Sequence, residues 1–88
     1  QLPNEKEIKK LIDLVLQNGN FKFDNKTSAN RIIEECVGLS YYSIQKTLIT
    51  AIKRTLFATV EPQKILSAKI DTSIWKNLVE AEKQSLNI

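Results

Sequence analysis

The chain has 88 residues, 42% of them apolar and only two each Gly and Pro, which points to one small packed domain and excludes a disordered tract or a linker. Its 13 Lys and Arg against 10 Asp and Glu leave a net charge of +3, too small an excess to imply a nucleic-acid partner, and 11 of the 13 cations are Lys. Arg, the residue that phosphate and base recognition favour, occurs only at Arg31 and Arg54.

The first predicted helix opens at Asn4, with Glu7 three residues on as a capping-box partner and Leu2 as a staple for Ile8. Ile8, Leu11, Ile12 and Val15 share one face, Leu14 and Leu16 widen it, and Gly19 is the expected left-handed stop. Residues 20–27 read as a loop in which Phe21 and Phe23 alternate with polar residues but are too few for a strand, so both rings are expected to plug into the core. Thr27 or Ser28 caps a short second helix carrying Ala29, Ile32, Ile33 and Cys36, and Val37-Gly38 ends it.

Ser40 caps a long third helix that runs to about residue 57 or 58. Ile44, Leu48, Ala51, Ile52 and Thr55 form its stripe, which makes it the expected centre of the fold. Over residues 59–70 the pattern weakens: Pro62 suits the first position of a helical turn, with Ile65, Leu66 and Ile70 as anchors. Asp71 or Thr72 caps a last helix with Ile74, Trp75, Leu78, Ala81 and Leu86, and Ile70 and Trp75 then hold the two staple positions. The expected fold is all-α, a small four-helix bundle formed by residues 1–88 as a single helical domain or subdomain. The sequence contains no methionine, from which the chain is expected to be a fragment of a longer protein.

Catalytic constellations are missing. Without histidine there is no Ser-His-Asp or Cys-His arrangement and no His metal site, and a single Cys excludes an internal disulfide and a Cys-based zinc site. Glu34-Glu35 and Glu80/Glu82 fall on predicted solvent faces, and Cys36 falls on an apolar stripe, as a small buried hydrophobe does. No apolar run reaches the ~18 residues of a membrane span, so no membrane partner is expected. The lone Cys fits a reducing cytoplasm. No Gly-rich phosphate loop is present.

The informative stretch is Glu35-Cys36-Val37-Gly38-Leu39-Ser40-Tyr41-Tyr42-Ser43-Ile44. A helix ends at Gly38 and another opens at once, which puts free N–H groups and two tyrosines at a corner. Three readings are open: a plain corner, a corner that meets a base or ring through its aromatic side chains, or a helix-turn-helix over residues 32–48 with Tyr41, Tyr42, Gln45 and Lys46 aimed at DNA. Against the last, the third helix is too long for a recognition helix, carries an apolar face throughout and has no Arg on its reading face. Read back from Ile44 and Leu48, the core stripe passes through Tyr41 and leaves Tyr42 exposed, so Tyr41 is the expected core anchor.

The order Leu2-Pro3-Asn4, an apolar helix, a loop with Phe23, a short helix, Gly38-Leu39-Ser40 with Ser43-Ile44, a long helix with Ala51, then Ile70-Asp71 and a last helix resembles the C-terminal helical lid subdomain of AAA-family (AAA+) ATPases. That family writes the entry as Leu-Pro-acidic and the junction as Gly-hydrophobic-Ser-Gly-Ala-Asp-Ile. The resemblance extends from Leu2 to about Glu82 and rests on the order and spacing of motifs. It implies a lid that packs over ATP or ADP, held with Mg by a preceding P-loop subdomain of the same chain, and that passes the nucleotide state to neighbouring subunits of a ring, expected to be a hexamer. By itself the lid is no enzyme, and no tightly bound cofactor is expected on it.

The resemblance also implies site residues on the adenine and ribose side: Ile12 and Leu16 or Gln17 from the first helix, and Gly38, Tyr41 and Tyr42 from the corner. Gly38 and Ser40 match the family motif. Tyr41 and Tyr42 stand where the family has Gly and Ala, and could crowd the nucleotide, stack on it or swing outward. Ser43 replaces the usual Asp, and no arginine sensor opens the third helix. The rival readings are the helix-turn-helix DNA-binding domain and a helical protein-interaction module. Nucleic acid is not the expected partner.

Overall fold

The computed structural model describes residues 2–59 and 68–86. Among the described residues four helices carry the fold: α1 (Glu5–Gly19), α2 (Ala29–Glu35), α3 (Tyr41–Ala58) and α4 (Thr72–Ser85). Each begins at a side chain that accepts otherwise orphaned N–H groups. Asn4 and Glu7 form a full capping box on α1. Ser28, not Thr27, caps α2. Ser40 caps α3, and Asp71 caps α4 by accepting from the N–H groups of Ser73 and Ile74. The staple before α1 differs from expectation: Leu2 is 55% exposed, whereas Pro3, directly before the cap, is buried. At α4 both staple positions, Ile70 and Trp75, are buried.

The first helix does not stop on its glycine. Gly19 is the last helical residue, and Asn20 takes the left-handed conformation at φ 57° and ψ 40°. The reason is Phe21, whose ring folds back so closely that a Cβ on Gly19 would lie 2.4 Å from Cδ2.

The segment expected as a plain loop holds a two-residue strand, β1 (Lys22–Phe23), which pairs in parallel with β2 (Lys69–Ile70). The Asp24 N–H extends the ladder to the Ile70 carbonyl at 2.9 Å. Phe21 and Phe23 do pack against the core as expected, and Phe23 meets Trp75 edge-on with ring centroids 5.5 Å apart. The Asp24 carboxylate locks this junction to α4, accepting from the Thr72 hydroxyl at 2.9 Å and the Thr72 N–H at 3.2 Å. Desolvation pushes the Asp24 carboxyl up, but the donations from Thr72 and from the Lys26 N–H outweigh it and hold it below the usual range. Pro62, Ile65 and Leu66 lie outside the described residues.

One core joins all elements. Ile8 and Ile12 come from α1, Ile32 from α2, Cys36 and Leu39 from the turn after it, Ile44, Leu48 and Ala51 from α3, and Ile70, Trp75 and Val79 from β2 and α4. The Trp75 indole N–H is buried and has no hydrogen-bond partner among the described residues. α3 is central in that it packs against α1, α4 and β2, while α2 packs chiefly on α1 and α4. Its buried face is Ser43, Ile44, Thr47, Leu48 and Ala51, and Ile52 and Thr55 are only half-buried. This face is rotated relative to the expected stripe and takes in two polar residues, Ser43 and Thr47, with the Thr47 hydroxyl donating to the Ser43 carbonyl one turn back at 2.7 Å. On α4 the buried positions are Thr72, Trp75 and Val79, with Ala81 and Leu86 exposed. Among the described residues no helix is long and apolar enough to cross a membrane.

Candidate functional site

The corner between α2 and α3 is built by three consecutive residues. Gly38 turns the chain at φ 99°, a backbone that residues with a Cβ rarely adopt, and nothing lies within 4 Å of where that Cβ would be. Leu39 then enters the core with no exposed surface, donating its N–H to the Cys36 carbonyl at 3.1 Å. Ser40 accepts from the Ser43 N–H at 3.1 Å and starts the helix. With Leu39 fixed inward, Tyr41 and Tyr42 are carried outward on the first turn.

Tyr41 is not the expected core anchor: it is 44% exposed, and Leu39 fills the core at this corner instead. Its ring leans toward α1, and its hydroxyl donates to Glu7 Oε2 at 2.8 Å. Glu7 Oε1 meanwhile accepts from the Asn4 N–H at 3.0 Å. These two donations, the Asn4 one foremost, hold the Glu7 carboxyl below its usual range, and the same contact raises the Tyr41 hydroxyl. Tyr42 is 72% exposed, as the sequence predicts. Lys46 Nζ sits 5.6 Å from its ring centroid, within cation–π reach, and also pairs with Glu82 Oε1 at 3.0 Å. Glu82, expected on a solvent face, is thus half-buried, and Lys46 followed by Ser43 holds its carboxyl low against the opposing cost of desolvation.

The α1 candidates stand apart from this corner. Ile12 and Leu16 line an apolar groove of about 180 Å³ between α1 and α2, together with Phe23, Ala29, Ile32 and Ile33. Lys9 and Asp13, paired at 2.7 Å, form its rim. The groove is smaller than the ~300–1,000 Å³ of a typical small-molecule site. Gln17 is exposed near the end of α1, about 15 Å along the helix from Glu7. The structure therefore brings Gly38, Tyr41 and Tyr42 together, sets Ile12 and Leu16 in a separate groove, and leaves Gln17 in neither. Glu7, Lys46 and Glu82 also belong to the corner; the sequence offered them only as a capping-box partner, a DNA-facing residue and a solvent-face acid, since the contacts that bring them here join different helices with no shared local spacing.

Chemically the corner can bind but has no reactive group. Ser40 is occupied as a cap, Ser43 is buried, and burial pushes the Cys36 thiol up to about 12. What it presents is an exposed aromatic face beside a glycine, with one carboxylate-paired ammonium. Comparison with protein-family models, with curated proteins and with solved structures gives no match.

Proposed function

We propose that the chain is the helical lid subdomain of a ring-forming AAA+ ATPase. It helps to enclose ATP or ADP bound by a P-loop subdomain of the same protein and couples the nucleotide state to movement of neighbouring subunits as a rigid body. The observation that carries this reading is the Gly38–Tyr42 corner. A positive-φ glycine runs directly into a capped 18-residue helix that displays an aromatic ring at 72% exposure, with no catalytic group beside it. The Leu-Pro-Asn entry, the Gly-Leu-Ser junction and the order of four helices support it.

In this reading Tyr42 offers its ring to the base, Gly38 allows the backbone to approach the nucleotide, and Tyr41, tethered by Glu7, sets the corner's orientation. Ile12 and Leu16 stay in the separate α1–α2 groove and Gln17 in neither place, so in this reading Tyr42, and not α1, carries the contact with the base. Phosphates and Mg are handled by the P-loop subdomain, so this chain alone hydrolyses nothing. The protein works in the cytoplasm.

A helix-turn-helix is the weaker reading, because α2 packs chiefly on α1 and α4, not on the helix that would read DNA. Calorimetric titration of this chain with ATP is expected to show no tight binding, and sub-micromolar affinity would sink the lid reading. In the full-length protein, Tyr42→Ala is expected to change nucleotide affinity or ATPase rate with little change in thermal midpoint. Loss of stability with unchanged nucleotide handling would reduce the corner to packing. Sequence-selective gel shifts at physiological salt would favour the DNA-binding alternative.

A further inference from the structure

The end of α1 holds a dipeptide whose own chemistry the fold restrains. Of the seven asparagines, Asn18 alone precedes a glycine, and both residues are exposed. Glycine has no side chain to hinder its amide nitrogen from attacking the side-chain amide of the residue before it, so in a free chain this pair cyclises readily. Cyclisation requires Asn18 to leave helical φ and ψ so that the Gly19 nitrogen can face the Asn18 side-chain carbonyl. In the folded chain Gly19 is the last residue of α1, and its N–H points back along the helix toward the carbonyl four residues earlier. Two further contacts hold this turn shut. The Asn20 N–H reaches the Gln17 and Leu16 carbonyls, and the Phe21 N–H donates to the Leu16 carbonyl at 2.9 Å. The Phe21 ring then lies so close over Gly19 that a Cβ there would be 2.4 Å from Cδ2.

We propose that Asn18 is a site of spontaneous conversion to aspartate and isoaspartate, and that Phe21 gates it by holding the last turn of α1 closed. The Gly19 nitrogen forms a bond to Asn18 Cγ, the bond from Cγ to Nδ2 breaks, and ammonia leaves with the proton that Gly19 gives up. Water then opens the cyclic imide. Attack at Cγ yields aspartate, and attack at the former backbone carbonyl yields isoaspartate, with Gly19 linked through the side chain. One amide and one water become one carboxylate and one ammonium, with no change of oxidation state. The product weakens the turn that delayed it. A carboxylate at the C-terminal end of α1 opposes the helix dipole, and no basic residue stands in that last turn to offset it. Isoaspartate also lengthens the main chain by one methylene, which displaces the Asn20 cap and the Phe21 ring ahead of β1. The inference does not depend on the lid reading, since it uses none of the corner residues.

The test is incubation of the whole chain at mildly alkaline pH, beside a synthetic peptide of residues 14–24, with conversion followed by peptide mapping and mass spectrometry. The peptide is expected to convert first, and the folded chain measurably but at least about tenfold more slowly, because the turn must open before the ring can close. Phe21→Ala is expected to bring the folded chain's rate toward that of the peptide. Gly19→Ala is expected to suppress conversion in both. Where circular dichroism shows Phe21→Ala unfolded, hydrogen exchange of the Gly19 amide in the parent takes its place: across low urea concentrations, conversion is expected to accelerate in step with exchange. Equal rates in chain and peptide overturn the gate, as does a folded Phe21→Ala variant with the parent's rate, or exchange that accelerates while conversion does not. An intact Asn18 in the folded chain after the peptide has fully converted overturns the site itself. So does a mass gain that persists in Gly19→Ala, which assigns it to another asparagine.

Discussion

The Tyr41 hydroxyl donates to one oxygen of Glu7 at 2.8 Å while the other oxygen accepts from the Asn4 N–H at 3.0 Å, so one carboxylate closes the capping box of α1 and ties α1 to the first turn of α3. Neither tyrosine nor glutamate is buried, so the link works through hydrogen bonding to a charge and not through desolvation.

The tie has a pH signature with two flanks. Glu7's carboxyl is lowered in the folded chain, so its contribution is complete above the ordinary glutamate value and is lost as pH falls through the lowered one. Tyr41 is raised, so its contribution is complete below the ordinary tyrosine value and is lost as pH rises through the raised one. Tyr41→Phe is expected to lower the melting temperature modestly between these limits and to weaken both flanks of the stability profile. Thermal melts of the parent, Tyr41→Phe, Glu7→Gln and the double variant across pH check this, and strictly additive effects would show that the two residues do not act on each other.

Truncation within α3 separates the observed buried face from the stripe that apolar residues alone suggest. Leu48 has no exposed surface, whereas Ile52 is half-buried. Leu48→Ala is expected to cost about 2–5 kcal/mol, a large share of the ~5–15 kcal/mol available to a small domain. Ile52→Ala should cost clearly less. Urea titrations of the two variants decide, and equal midpoints would place Ile52 in the core after all.

What the sequence made legible was local. Asn4, Ser40 and Asp71 announce their helices because a cap and the N–H groups it serves lie within three residues. Tyr42's exposure and the glycine corner followed from the same short-range logic. The parallel pairing of Lys22–Phe23 with Lys69–Ile70 was not legible, because two residues cannot show an alternation and the partner strand lies across two helices. Tyr41 was misplaced because an apolar stripe does not reveal that Ser43 and Thr47 can be buried once their hydroxyls are satisfied. The contacts that shape the candidate site, Tyr41 with Glu7 and Lys46 with Glu82, each join two helices, so no spacing encodes them.

The two glycines should respond to alanine for opposite reasons. In most exposed helix positions Gly→Ala stabilises by roughly 0.5–1 kcal/mol. At Gly19 the new Cβ would meet the Phe21 ring at 2.4 Å, so the ring must move and the gain is expected to vanish or reverse. Gly38 has open space around it but φ 99°, so Gly38→Ala is expected to cost about 1–2 kcal/mol through the backbone alone. Pairing Gly19→Ala with Phe21→Ala discriminates: the alanine should become stabilising once the ring is gone, while Gly38→Ala should stay costly in the same background.

Cys36 offers a direct reading of how tightly the end of α2 is held. Its thiol has no exposed surface, and desolvation pushes it up to about 12, with the nearby Lys83 charge opposing and Glu35 adding to the shift. In the folded chain it therefore stays protonated where an unfolded thiol would ionise. The sign of the linkage follows: this contribution is complete below the ordinary thiol value, and stability declines as pH rises from there toward about 12. In native buffer at mildly alkaline pH, a disulfide reagent such as dithionitrobenzoate is expected to leave Cys36 unmodified over minutes, and the same chain in concentrated urea should react at once. Where slow native labelling occurs, its rate reports the opening of the Cys36–Leu39 turn. Slower labelling in the presence of a stabilising osmolyte such as trimethylamine oxide would support that opening step. Prompt labelling in native buffer would mean that this turn is open and that the Gly38–Ser40 corner is not the fixed element that the candidate site requires.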